Sequence, residues 1–135
     1  MGVIEELISL LLGAGAVSSL ASTRIYPGAL PQSVAYPAAA VSQVSRVPVY
    51  DDDGASGLTE ERYTVDCWGL TYTAAKGLAR AVVATLSAYA GTPAGGSVEL
   101  CFVTLEDERD DREAGGNSAE YPFRTSLDFI VWSKQ

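Results

Sequence analysis

The chain has 135 residues, 47% of them hydrophobic, with 13 Gly and 6 Pro spread along it, a length expected to make one domain, residues 1–135, that buries enough core to stand without disulfide or metal staples. Nine Lys plus Arg against 17 Asp plus Glu leave a formal charge of -8, which argues against a protein that grips phosphate backbones. The absence of histidine excludes Ser-His-Asp and Cys-His catalysis and His-bearing zinc sites.

Leu7 to Ala21 is apolar, but Glu5 and Glu6 precede it where a signal peptide carries positive charge. Serines and glycines interrupt it short of a bilayer span, and Glu6 stands where myristoylation after Gly2 needs Ser or Thr. No membrane partner is expected. The composition fits the cytoplasm, where Cys67 and Cys101 stay reduced.

In chain order, Val3, Ile4, Leu7, Ile8, Leu11 and Leu12 recur at helical spacing, with Glu5 and Glu6 in the first turn, where the helix dipole favours them, and Gly13-Ala14-Gly15 as the stop. Pro27, Pro31 and Pro37 then limit Ile25–Pro37 to a strand stub and an extended connection. Val41, Val44, Val47 and Val49 mark a strand over Ala39–Tyr50. Asp53-Gly54 marks a turn, and Leu58–Trp68 alternates with Tyr63, Val65 and Cys67 on one face and Arg62, Thr64 and Asp66 on the other. These two runs predict a long hairpin. Thr71–Ala90 lacks Pro and carries the stripe Ala75, Leu78, Ala79, Val82, Val83, Leu86 and Tyr89, predicting the main helix, about 30 Å long. Two further alternating runs, Val98-Leu100-Phe102 and Phe123–Val131, flank a charged segment, Glu106–Gly116, that reads as a loop. The order predicts an α+β fold, an antiparallel sheet with a long hairpin and two helices packed on one face. The expected core is Leu7, Leu11, Val65, Leu78, Val82, Leu86, Leu100, Phe102, Leu127 and Phe129.

Charge is segregated. Asp51, Asp52 and Asp53 contribute -3, and Glu106, Asp107, Glu108, Arg109, Asp110, Asp111, Arg112 and Glu113 contribute -4, so two segments expected to be loops hold nearly the whole net charge. From Cys67 to Val98 there is no acid, and Lys76 and Arg80 lie on the polar side of the main helix. Acidic segments of one copy and these two bases of another are thus a candidate subunit interface.

Asp51, Asp53, Gly54 and Glu60 match positions 3, 5, 6 and 12 of a calcium-binding EF-hand loop, but position 1 is Val49 and the flanks read as strands, which favours a solvated hairpin tip. A run of carboxylates in one segment, Glu106–Glu113, is a weaker basis for a two-metal site than ligands converging from several elements. Gly13–Ala16 and Gly95-Gly96 lack the Gly-Lys-Ser/Thr of a phosphate loop and read as turns. The cysteines read as small buried hydrophobes, and Trp68, Trp132, Tyr63 and Tyr121 as core or strand-face aromatics. No metal, cofactor or catalytic residue is expected.

A series of landmarks follows in order: the amphipathic N-terminal helix, Thr23-Arg24-Ile25-Tyr26-Pro27-Gly28-Ala29-Leu30-Pro31, Val65-Asp66-Cys67-Trp68-Gly69, Asp107-Glu108-Arg109-Asp110 and Ser126-Leu127-Asp128-Phe129-Ile130-Val131-Trp132. Across nearly the whole chain this resembles the phage tail completion family, the tail terminators and tail-to-head joining proteins of long-tailed phages and gene transfer agents. The sequence departs from the resemblance at Asp111–Gly116, where an aromatic residue is expected nearby. The resemblance implies an α+β fold and a virion protein, assembled in the host cytoplasm, that forms a hexameric ring between the tail tube protein and a head completion or connector protein. DNA would pass through the ring without specific binding, and an acidic lumen suits that passage. Two other classes stay open on the residues themselves: an acidic monomer or dimer that occupies a basic surface on a partner, and a metal-dependent enzyme using Glu106–Glu113.

Overall fold

The structure is a computed structural model, described for residues 3–31, 35–51, 54–87, 89–91, 99–112 and 123–134. Three helices and five strands follow in the order α1 (Val3–Gly13), α2 (Gly15–Ala21), β1 (Ile25–Pro27), β2 (Ala38–Asp51), β3 (Gly54–Gly69), α3 (Tyr72–Leu86), β4 (Glu99–Arg112) and β5 (Phe123–Lys134). The strands form one sheet in the order β1-β2-β3-β5-β4. The α+β class holds, with two additions to the expected architecture. Gly13-Ala14-Gly15 breaks the first helix without ending helical structure: Ala14 turns extended, at φ -86° and ψ 120°, and α2 leaves at 85° to α1. Val17 and Ala21, one turn apart, are buried and give α2 its inward face. The sheet also has one parallel pair, because the connection after β1 returns the chain so that Ile25 stands beside Ala39 and Pro27 beside Val41.

The hairpin runs from Ala38 opposite Trp68 out to Asp51 opposite Gly54. The expected turn residue Asp53, with Asp52, lies outside the described residues. The main helix is shorter than its apolar stripe, 15 residues or about 22 Å. Thr71 caps its start by accepting a hydrogen bond from the Ala74 amide at 3.1 Å, and Ser87 leaves the helix with ψ 128°.

The segment Glu106–Arg112, expected as a loop, is the second half of β4, hydrogen-bonded to β5 as far as Arg112 opposite Phe123; Glu113–Gly116 lie outside the described residues. Sheet pairing satisfies its backbone, and that outweighs the poor strand preference of consecutive charged residues. Two register shifts, between Leu100 and Phe102 and between Leu105 and Asp107, break the alternation of β4. The first corrects the predicted core: Leu100 and Val103 are both buried, whereas Phe102 is 43% exposed on the other face. The other nine expected core residues are fully buried.

All three helices cover one face. α3 packs on β3 and β5, and α1 and α2 pack beside it. Between the layers, Val41, Val65, Cys67, Leu127, Phe129 and Val131 from the sheet meet Leu7, Leu11, Val17, Leu78, Val82 and Leu86 from the helices. The approach at the start of α3 is close enough to require glycine, since a Cβ on Gly69 would stand 2.6 Å from the Ala75 nitrogen. Full burial raises the Cys67 thiol far above its ordinary pKa, which makes it an inert packing group.

Candidate functional site

The charged residues singled out from sequence divide between the two faces of the sheet. On the helix side, Lys76 is ion-paired with Glu108 and, at 2.7 Å, with Asp110. Asp110 also accepts hydrogen bonds from Thr125 at 2.9 Å and Tyr72 at 3.3 Å. These contacts pin the first turns of α3 to β4, and the Tyr72 and Phe123 rings meet edge to face at 6.2 Å. Hydrogen bonds between the partners raise the Lys76 ammonium pKa and hold the Asp110 carboxyl below its usual range. Lys76, expected to reach acids of another copy, thus has partners within its own chain. Arg80 is exposed on the same helix.

On the helix-free side, Arg109 bonds Asp128 at 2.7 Å and Asp107 at 2.6 Å, and Thr64 donates to Asp128 at 2.8 Å. Ser126 donates to Asp66 at 2.5 Å in the next row. The Arg109 guanidinium is the main cause that lowers the Asp128 carboxyl pKa, with the Thr64 hydroxyl and the charge of Arg62 acting in the same direction. The sequence alone does not mark Asp66 and Asp128 as members of this cluster. Each is an ordinary polar-face residue of its strand, and only the register that sets Asp128 beside both Thr64 and Asp107 assembles them.

Glu106 sits at the second register shift, is exposed, and makes no ion pair among the described residues. Asp51 ends β2 and Asp111 stands opposite Arg124 in β4. The calcium-loop residues Asp51 and Glu60 lie in two paired strands, and no EF-hand helix flanks them. Among the described residues no three potential metal-ligating side chains cluster.

A third polar group is buried beside the start of α1, where Val3, Ile4 and Glu5 line one pocket with Gln43, Arg46, Glu61 and Tyr63. Glu61 is 3% exposed. Its Oε1 accepts from Tyr63 at 2.7 Å and Gln43 at 3.2 Å, and its Oε2 from Ser133 at 3.0 Å and Thr59 at 3.3 Å. Four donors match the acceptor capacity of a carboxylate, so it is satisfied without a ligand. Burial, then the hydrogen bond and charge of Glu61, push the Tyr63 phenol far above its ordinary pKa.

One face closed by helices, a second face of hydrogen-bonded charge, and a carboxylate saturated by neutral donors define a small structural α+β module. Residues 5–132 match the family described as tail completion protein gp17, and the chain belongs to that family of virion tail proteins. Its fold is similar to a chain of a solved structure described as "Virion of native gene transfer agent (GTA) particle". The TM-score is 0.72 at 16% identity, covering 97% of this chain and 93% of that one. No curated protein sequence matches.

Proposed function

We propose that this structural component of the virion tail forms a homo-oligomeric ring, hexameric as the resemblance implies, that ends the tail tube and joins it to the head while DNA passes through its channel. Its partners are the tail tube protein on one side and a head completion or connector protein on the other. The match to the tail completion family over residues 5–132 carries this reading. The net charge of -8 agrees with it in sign, because a wall of like charge opposes adhesion of a transiting polyanion. In this reading the acidic half of β4, Glu106–Asp111, or the hairpin tip Asp51–Asp53, lines or rims the channel, and Arg80 lies at a subunit boundary.

Two measurements test the proposal. Negative-stain imaging and sedimentation of the purified chain are expected to show a ring with a central hole; a chain that stays monomeric in solution and on tail tips refutes it and leaves the acidic binding protein as the reading. Replacing Glu106, Asp107 and Asp111 with Gln or Asn should keep the ring but make it retain DNA at low salt. If neutralising Glu106–Asp111 and neutralising Asp51–Asp53, each in turn, both leave DNA retention unchanged, the channel assignment is refuted while the family stays intact.

A further inference from the structure

Exposed apolar side chains gather at two separate places on the molecule. On the distal half of β2, beyond the rungs covered by β1, Val44, Val47 and Tyr50 are each more than half exposed. Past the other end of the strands, after the last rung at Gly69, Leu70 is more than half exposed and Tyr72 about half. Val47 stands opposite Glu60 and Leu70 follows Gly69, which sets the two places about 30 Å apart along the strands. Apolar surface concentrated in this way and rimmed by charge marks an interaction site. The rims are opposite in sign. Arg46 lies between Val44 and Val47 and has no ion pair and no hydrogen bond among the described residues. It borders a hollow of about 260 Å³ whose walls include Pro48, Val49, Tyr50 and Leu58. At the second place Lys76 holds both Glu108 and Asp110, so two acids share one base and a charge of -1 is left over. The Tyr72 hydroxyl donates to Asp110 at 3.3 Å, which fixes that excess beside the aromatic ring.

We propose that Leu70 and Tyr72 of one copy of this chain pack into the hollow beside Arg46 of the next, and that Arg46 reaches the Glu108 and Asp110 carboxylates flanking that tyrosine. The inference rests on the ring reading above and names the surfaces that build the ring. Side chains make the contact. The distal edge of β2 is poorly suited to adding a strand, because register shifts at Gln43/Ser45 and Pro48/Tyr50 kink it and Pro48 lacks an amide donor. The partner is a second copy on grounds of charge. A net charge of -8 sets most faces of two copies against each other, so an unpaired base in an apolar setting selects the patch that joins apolar surface to excess acid. Two different patches meet, which makes the contact head-to-tail. One lies at a lateral edge of the sheet and the other past the end of its strands, so each copy is turned relative to the last, as closure into a ring requires.

The test is association of the full chain, by sedimentation across a concentration series, for the unmodified protein, Arg46→Glu, Leu70→Arg and the double variant. Both sites are exposed, and thermal midpoints check that each variant is folded. Each single substitution should weaken association by about tenfold or more, Arg46→Glu by setting an acid against Glu108 and Asp110 and Leu70→Arg by setting a base against Arg46. The double variant places acid and base together again with their positions exchanged, and should recover most of the loss. Either single variant assembling as the unmodified chain does, or a double variant no better than the singles, overturns this contact while the ring reading stands. An unmodified chain that never associates overturns both.

Discussion

Glu61 offers the sharpest test of how the end of the sheet beside the start of α1 is held together. In Glu61→Ala the Tyr63 hydroxyl, in a side chain 2% exposed, loses its acceptor. Thr59 and Ser133, whose hydroxyl oxygens stand 2.8 Å apart, then bond each other, and Gln43, which is exposed, turns to water. One orphaned buried hydroxyl costs about 1–3 kcal/mol and the vacated volume about 1 more, so the expected loss is about 2–4 kcal/mol. Glu61→Gln keeps the shape and one acceptor for Tyr63, and its amide can donate to Thr59 or Ser133. Because it also removes the cost of burying a charge, it should stay within about 1 kcal/mol of the parent. For a domain of this length 1 kcal/mol moves the melting midpoint by about 3–4 °C, so calorimetry separates the two variants readily. A Gln variant as unstable as the Ala variant would refute the reasoning, since the negative charge itself, and hence a cation such as Arg46, would then hold the cluster.

Three further outcomes follow from particular contacts. Leu86→Ala, at a fully buried site on α3, should cost about 2–5 kcal/mol in denaturant unfolding, and an unchanged midpoint would show that α3 turns another face to the sheet. Gly69→Ala should cost about 1–3 kcal/mol because its Cβ meets Ala75 backbone, whereas Gly77→Ala, with nothing within 4 Å, should stabilise α3 by about 0.4–1 kcal/mol in the same assay. Arg109→Ala should weaken the fold at neutral pH and cease to matter in acid. The Asp128 carboxyl pKa is depressed in the fold, so its contribution is present above the unfolded value of about 3.9 and is lost as pH falls through the lower folded value. Unfolding curves of parent and variant that remain equally far apart well below pH ~4 would refute that linkage.

The hairpin and the main helix were legible because each buries one regular face: Tyr63, Val65 and Cys67 alternate, and Leu78, Val82 and Leu86 recur at helical spacing. The second half of β4 was not, because its pattern carries charge on both faces. What makes it a strand is nonlocal, namely a complete ladder to β5, Lys76 reaching it from α3 and Arg109 tying it to Asp128. Phe102 departs from its expected place for a related reason: strict alternation from Leu100 places it inward, and a register shift has no signature in hydrophobic period. The parallel β1–β2 pair likewise depends on where a proline-containing connection returns the chain, which composition cannot fix.

That β4 is a strand changes what its charge does. In a loop the acids would spread into solvent, whereas on a strand same-face side chains are fixed about 7 Å apart, within a Debye length of ~8 Å at physiological salt, and their fields add. Lys76 and Arg109 offset part of this charge inside the chain, and Glu106 at the edge is left without an ion pair among the described residues. Each of the two bases holds a pair of carboxylates, Lys76 those of Glu108 and Asp110 and Arg109 those of Asp107 and Asp128, so removing one base sets two acids against each other at close range. The loss of stability in Arg109→Ala at neutral pH should therefore shrink as salt is raised, because the repulsion left between exposed Asp107 and Asp128 is screened. A loss that stays the same from low to high salt would show that Arg109 acts through packing of its stem and not through the charge of β4.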